Sequence, residues 1–284
     1  MLKWGMLMVT AQTTVVEIRP ETPDAVTLRL NLGDTPFPYR PGQYIEIDPH
    51  QFEELASTLG QLEAEKGMPE TPRAFSLCSD ASESRFLEIS VKEEKQARYV
   101  PVLTPFLVRR LARGRRISIT GPSGRYCMPE EPPPTASFLH LCAGSGVSPN
   151  RGMIRYALGR EWPQKHLLIL QNRTEKDIFY RDEWSAISAQ HGDRFRIRHV
   201  LSAPGGEHVT PDIVRSAMDG FIQAKDTIAL VCGPNRPREV LLPSGARVKQ
   251  PGFCELWSGN PRRKIPGFLE FLGVTPEHIL TEMW

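Results

Sequence analysis

The stretch LCAGSGVSPN, Leu141–Asn150, decides the fold. Its apolar lead reads as a buried strand, Gly144, Ser145 and Gly146 as a small-residue turn, and Ser148 and Pro149 as the opening of a helix. Small residues at such a turn let backbone N–H groups approach a phosphate. Pro149 suits a first helical turn, where a missing N–H costs nothing. The stretch lacks the G-x-G-x-x-G spacing of an ordinary dinucleotide fold, and alone it also reads as a plain tight turn.

Downstream, strand-like and helix-like segments alternate. HLLILQNR, RFRIRHVLS and TIALVCGP are apolar or β-branched runs, separated by FYRDEWSAISAQ and TPDIVRSAM at helical spacing. That alternation implies a parallel sheet with helical crossovers. Upstream the rhythm differs. TVVEIRP, AVTLRLNL, QYIEIDP, FLEISVKEE and RRISITGP are short strands bounded by Pro, Gly or Asp, the pattern of a small antiparallel barrel. The rigid EEPPPT, Glu130–Thr135, marks the boundary. The expected organisation is a two-domain chain: an antiparallel β-barrel over 1–134, then an α/β parallel-sheet domain over 135–284. Residues 51–66, with Phe52, Leu55, Leu59 and Leu62 among acidic residues, read as an amphipathic helical insertion. Residues 236–264, rich in Pro, Gly and basic side chains, read as a second insertion, a long irregular loop with at most a short strand.

Composition narrows the function. With 284 residues, 24% charged and 40% hydrophobic, the chain suits two folded domains. A formal net charge of +2 is too small to argue for a nucleic-acid binder. No apolar run reaches the ~18–20 residues of a membrane span. The start has no signal-peptide core and reads as the lead into a strand, so a cytoplasmic location is expected. Cys78, Cys127, Cys142, Cys232 and Cys254 are widely spaced. They suggest free thiols in a reducing compartment and offer neither a metal site nor grouped iron–sulfur ligands.

Three further motifs carry chemistry. RAFS, Arg73–Ser76, supplies an arginine for a phosphate, an aromatic ring and a hydroxyl, although alone it is also an ordinary strand edge. In VLTPFLVRRLARGRRISITGPSGRY, Thr104 is expected to cap a helix whose start attracts phosphate, and GPSG to form a tight turn. VCGPN, Val231–Asn235, ends a strand with Cys232 placed either beside a reacting ring or simply in a core.

The order RAFS, GPSG, GSGVSP, CGP resembles the ferredoxin–NADP reductase family over nearly the whole chain outside the two insertions. The resemblance implies a flavin-binding barrel followed by a nicotinamide-nucleotide domain. It assigns Arg73 to a flavin phosphate, Phe75 to the isoalloxazine and Ser76 to its reactive nitrogen, with Ala74, Val91 and Lys92 beside them. Phe75 stands where relatives more often carry Tyr, so a hydroxyl to the flavin's tail is lost. Thr104 matches the hydroxyl that binds the pyrophosphate, which favours FAD over FMN. Gly144, Ser145, Gly146 and Pro149 match the turn for the nicotinamide nucleotide, and Cys232, Gly233 and Pro234 the turn beside hydride transfer. The terminal ILTEMW resembles family ends in which Trp284 covers the flavin and Glu282 assists proton or electron transfer. Arg173 would pair with a 2′-phosphate, Tyr180 stack on adenine and Ser202 add a hydroxyl. NADPH and NADH both stay open, with NADPH favoured because no acidic residue adjoins Ser202.

The resemblance implies an NAD(P)H-dependent flavoprotein oxidoreductase that passes electrons singly to a separate protein, a ferredoxin or an oxygenase component. The alternatives are a diaphorase or flavin reductase acting on small acceptors, and a non-catalytic flavin-binding module.

Overall fold

The computed structural model describes residues 8–283, except 84, 96–98, 100, 236–237, 242–246, 261 and 263–264; over 238–241 and 247–250 it describes the backbone alone. The chain divides into two compact units. One holds Met1–Met128 with Arg151–Tyr156, the other Pro129–Asn150 with Ala157–Trp284.

The first unit is a six-stranded antiparallel near-barrel. Its elements are β1 (Val9–Thr22), β2 (Ala25–Asn31), β3 (Tyr44–Ile47), α1 (Ala56–Lys66), β4 (Arg73–Ser76), β5 (Phe86–Lys92), α2 (Leu103–Arg109) and β6 (Arg116–Ser123). The strand order is β4-β3-β6-β1-β2-β5. A bridge between Leu77, just beyond β4, and Ile89 of β5 joins the two outer strands. Alternate residues point inward because side chains change face at every step along a strand. Leu28 and Leu30, Ile45 and Ile47, Leu87 and Ile89, and Ile117 and Ile119 are all fully buried in one core. GPSG is not the expected tight turn. β6 stays extended through Ser123 because Gly121 pairs with Val9 and Ser123 with Tyr44.

The segment before β4 is helical only from Ala56. Two single 3-10 turns, Pro49–Gln51 and Glu53–Leu55, precede α1. Phe52, Leu55, Leu59 and Leu62 are all buried, and Phe52 packs on Phe106 of α2 with ring centroids 4.8 Å apart. Gly67, at φ 70°, ends α1 by returning its N–H to the Glu63 carbonyl.

The outer face of β5 carries a buried charge. Glu88, 2% exposed, lies 2.6 Å from Arg151 and 3.2 Å from Arg29, with Arg19 and Arg155 each at 3.7 Å. Burial raises a carboxyl's pKa, but the Arg151 charge and hydrogen bond, with Arg19 and Arg155, overcome this and hold Glu88 below its ordinary value.

The second unit contains β7 (Ser137–Ala143), both ends of α3 (Val147–Gly159), whose Arg151–Tyr156 count with the first unit, β8 (Lys165–Asn172), α4 (Arg181–Gln190), β9 (Phe195–Leu201), α5 (Pro211–Met218), β10 (Thr227–Gly233), β11 (Arg238–Leu241), β12 (Arg247–Gln250), α6 (Phe253–Ser258), α7 (Phe268–Phe271) and β13 (Ile279–Met283). Five strands form a parallel sheet in the order β13-β10-β7-β8-β9. Every residue of β7 and β10 is buried, as expected of parallel strands covered on both faces. Within 236–264 the described residues hold more regular structure than the composition suggested. β11 and β12 pair as an antiparallel hairpin, and α6 buries Cys254 and Trp257. Among the described residues no helix is long and apolar enough to cross a membrane.

Candidate cofactor and nucleotide sites

In the sheet unit, β7 delivers Gly144–Gly146 as a single 3-10 turn that runs into α3. Gly144 has φ +55°, and no atom lies within 4 Å of where a Cβ would stand. That backbone disfavours other L-residues and opens on free space. Gly146 is needed for the opposite reason. A Cβ there would lie 2.4 Å from the Cys232 carbonyl oxygen. The GSG and CGP motifs, far apart in sequence, therefore meet at the carboxyl ends of β7 and β10. Ser145 is half-buried, and Pro149 sits in the first turn of α3.

Strand register sets Cys142, Cys232 and Glu282 side by side on β7, β10 and β13. Cys232, 1% exposed, donates its S–H toward Glu282 Oε2 at 3.8 Å. Burial first, and the Glu282 charge second, push its thiol well above the usual range, so it stays protonated at neutral pH. Cys254 of α6 adds a third thiol, directed at the Gly233 and Glu282 carbonyls at 3.2 and 3.3 Å. Burial pushes it up to about 12. Sequence reasoning missed Cys254, which has no motif around it. Gly233 is buried and Pro234 half-buried, its carbonyl accepting the Phe253 N–H at 2.9 Å. Trp284 lies outside the described residues.

Arg173 and Ser202 follow β8 and β9 and are brought together: Ser202 N–H donates to the Asn172 carbonyl and Ala203 N–H to the Arg173 carbonyl, each at 2.8 Å. Arg173 is exposed and Ser202 half-buried. Between them Asn172 is 5% exposed, yet both of its amide atoms lack a protein partner. A buried amide rarely stays unsatisfied, so a donor and an acceptor are available to a ligand here. Tyr180 is a correction. Its ring is 4% exposed, edge-on to Phe179 and Trp184 at 5.8 and 5.9 Å, and presents no face to adenine. Its hydroxyl instead donates to Ser148 Oγ at 3.3 Å, bracing the start of α3.

In the barrel unit, Arg73 and Ala74 are exposed on β4 and Ser76 is half-buried. Phe75 is 8% exposed and packs in the barrel core, because its place opposite Ile45 turns the ring inward. That ring is committed mainly to packing, a departure from the expected platform. Val91 is likewise in the core, while Lys92 lies 3.8 Å from Asp24. Thr104 does not cap α2. The cap position is Val102, and Thr104 Oγ1 accepts the Glu94 N–H at 3.1 Å. Arg73 lines a cavity of about 120 Å³ together with Lys66, Glu70 and Tyr99.

Residues 141–237 match the family model for the oxidoreductase NAD-binding domain. The chain is 29% identical to NADH oxidoreductase HCR of Escherichia coli K12 over 60% of its own length and 46% of the relative's. It is 26% identical to the phenol hydroxylase P5 protein of Acinetobacter pittii over 72% and 50%. The chain thus spans about half the length of these curated relatives. The crystal structure of the Amycolatopsis cytochrome P450 reductase GcoB superposes with a TM-score of 0.70 at 21% identity, covering 98% of this chain and 71% of that one. Residues 141–237 are thus an oxidoreductase NAD-binding domain, and the chain is similar to flavin- and NAD(P)-binding oxidoreductases of the ferredoxin reductase-like kind. The near-barrel precedes the parallel sheet, which is the NAD-binding domain. Each unit has a local feature that suits a phosphate. Gly144 leaves space at a helix start, and Arg73 and Lys66 supply cations to one cavity.

Proposed function

We propose that the protein is a FAD-dependent NAD(P)H reductase that hands electrons one at a time to a separate iron–sulfur or haem protein, such as a ferredoxin or an oxygenase component. The observation that carries this reading is the close approach of Gly146 to the Cys232 backbone, beside the open, positive-φ Gly144. A bound flavin would supply the redox chemistry, accepting two electrons from NAD(P)H and releasing them singly. The chain's own residues bind and orient. N–H groups at the start of α3 and the Gly144 turn take the nucleotide's phosphates. Arg173, Ser202 and Asn172 form the nucleotide's outer anchor. The exposed guanidinium of Arg173, with no acidic neighbour at Ser202, favours NADPH over NADH. Cys232 presents an uncharged S–H, and Glu282 Oε2 accepts from it. The similarity to a phenol hydroxylase component supports an oxygenase as acceptor.

The test is anaerobic reduction of the flavin-loaded protein, followed by absorbance. NADPH should bleach the wild type faster than NADH. Cys232→Ala should keep its flavin and bleach at least about tenfold more slowly, a change of roughly 1.4 kcal/mol in barrier. A coloured wild type that neither nucleotide bleaches would sink the enzymatic reading. An unchanged rate in Cys232→Ala would remove the thiol from the site.

A further inference from the structure

The segment that precedes β4 does more than cover the barrel. Gly67 reverses the chain after α1, so Glu70 returns over the helix end and meets Lys66 at 2.5 Å. The same carboxylate lies 3.5 Å from Arg73. The Glu70 backbone is held in place by its N–H to Glu63 Oε1 at 2.7 Å. Glu63 is in turn bound to His50 Nε2 at 2.7 Å. Lys66 also lies over the Tyr99 ring, 5.2 Å from its centroid, a second and neutral partner.

These are not loose surface charges. The side chains of Lys66 and Glu70 are 17% and 11% exposed, and both line the cavity that holds Arg73. Two cations thus share one carboxylate at a small cavity, Lys66 largely buried and Arg73 47% exposed. Phosphate oxygens suit the same two donors. Glu94 lines the cavity as well, so a bound phosphate takes the place of Glu70 between the cations more readily than it adds to it.

We propose that this inserted segment is part of the flavin site. Lys66 is a second cation, beside Arg73, for a phosphate of the flavin nucleotide, and Glu70 is an internal carboxylate with which that phosphate competes. The inference rests on the flavin reading above and assigns a role within it to residues from outside the RAFS motif.

The experiment titrates the full chain, stripped of flavin, with FAD and separately with riboflavin, read by fluorescence. Inorganic phosphate serves as a competitor. Lys66→Met should weaken FAD about tenfold or more, the size of one charge-assisted phosphate contact, and leave riboflavin unchanged. Lys66→Arg should restore most of the loss. Glu70→Gln should tighten FAD without affecting riboflavin. Phosphate should compete with FAD in the wild type and less in Lys66→Met. An FAD affinity unchanged in Lys66→Met, or a loss that Lys66→Arg does not recover, overturns the proposal. So does equal weakening of FAD and riboflavin, which signals lost packing. A wild type that binds neither flavin sinks the flavin reading itself, a distinct outcome.

Discussion

The two units keep charge in their interiors in opposite ways. The barrel unit buries an ionised carboxylate, Glu88, and surrounds it with arginines. The sheet unit buries titratable groups and keeps them neutral. His140 is fully buried between Asn150, at 2.8 Å, and His166, at 3.0 Å. Asn150 Nδ2 donates to the Gly146 carbonyl, so its Oδ1 must accept from His140 Nδ1–H. His140 Nε2 then accepts from His166 Nδ1–H, and His166 Nε2 is left as a bare acceptor. Burial lowers His140 to about 4 and, with the repulsion of His140, pushes His166 well below its ordinary value. Burial likewise keeps the thiols of Cys142 and Cys232 protonated. The lesson is local. Several guanidiniums can meet one carboxylate on the outer face of a β-strand. A parallel strand covered on both faces offers no such partners, so its polar groups persist only as neutral donor–acceptor chains.

The barrel's charge should be the costlier one to disturb. Removing one member of a buried ion pair typically costs about 3–5 kcal/mol, because the other is left uncompensated. Glu88→Gln should therefore lower stability by roughly that amount, measured by urea unfolding followed by circular dichroism. Pairing it with Arg151→Met should recover much of the loss. A single substitution costing under about 1 kcal/mol would show that the network is a solvated cluster and break the contrast.

The sheet unit should be acid-sensitive in a definite window. A histidine whose folded pKa lies below its unfolded value of about 6.5 binds fewer protons folded than unfolded. Stability is then complete above about 6.5 and is lost as pH falls toward the His140 value of about 4. For His140 alone this amounts to about 3 kcal/mol at most. The carboxylate of Glu88, held below 4.5, keeps its contribution above about that pH and loses it only as pH falls further. Trp184 and Trp257, both fully buried in this unit, report its unfolding by fluorescence. His140→Gln can still donate to Asn150 and should flatten the slope between pH 6.5 and 4. An equally steep variant would remove His140 as the cause.

Both sheets were legible in the sequence because their signals are local. Ile117 and Ile119 alternate with polar residues, and Leu139–Ala143 is a nearly unbroken apolar run. The Gly144–Gly146 turn was legible for the same reason, since its two glycines announce a special backbone. What stayed hidden depends on direction or distance. Tyr180 looks available from its loop, but its φ of 57° sits just before α4 and the ring turns inward. Thr104 looks like a cap, yet the helix begins one residue earlier. Cys254 and Trp257 lie on a six-residue helix, too short to show a period. Glu88 and Arg151 are 63 residues apart and nothing near either one names the other. Lys66 was legible only as the end of the helical insertion, and Glu70 carried no signal, because the turn at Gly67 that returns Glu70 to Lys66 and Arg73 is not a periodic feature.

The smallest expected effect is the sharpest check on the contrast, because its sign is reversed. His50 in the barrel unit is held between Asp48 at Nδ1 and Glu63 at Nε2, both at 2.7 Å. The hydrogen bond to Asp48 first, and that to Glu63 second, raise its pKa above 6.5. Folding therefore favours its protonated form. Its contribution is fully present below about pH 6.5 and is lost as pH rises through the raised folded value. With 42% of the side chain exposed, solvent screens both pairs, so the effect should stay under about 1 kcal/mol. His50→Gln should be less stable than the wild type at pH 5.5 to 6.5 (about the unfolded pKa or below), and the two curves should merge at high pH. Circular dichroism melts across that range would read it. A gap that widens as pH rises would mean that His50 is held neutral, as His140 is, and the two units would then treat their histidines alike.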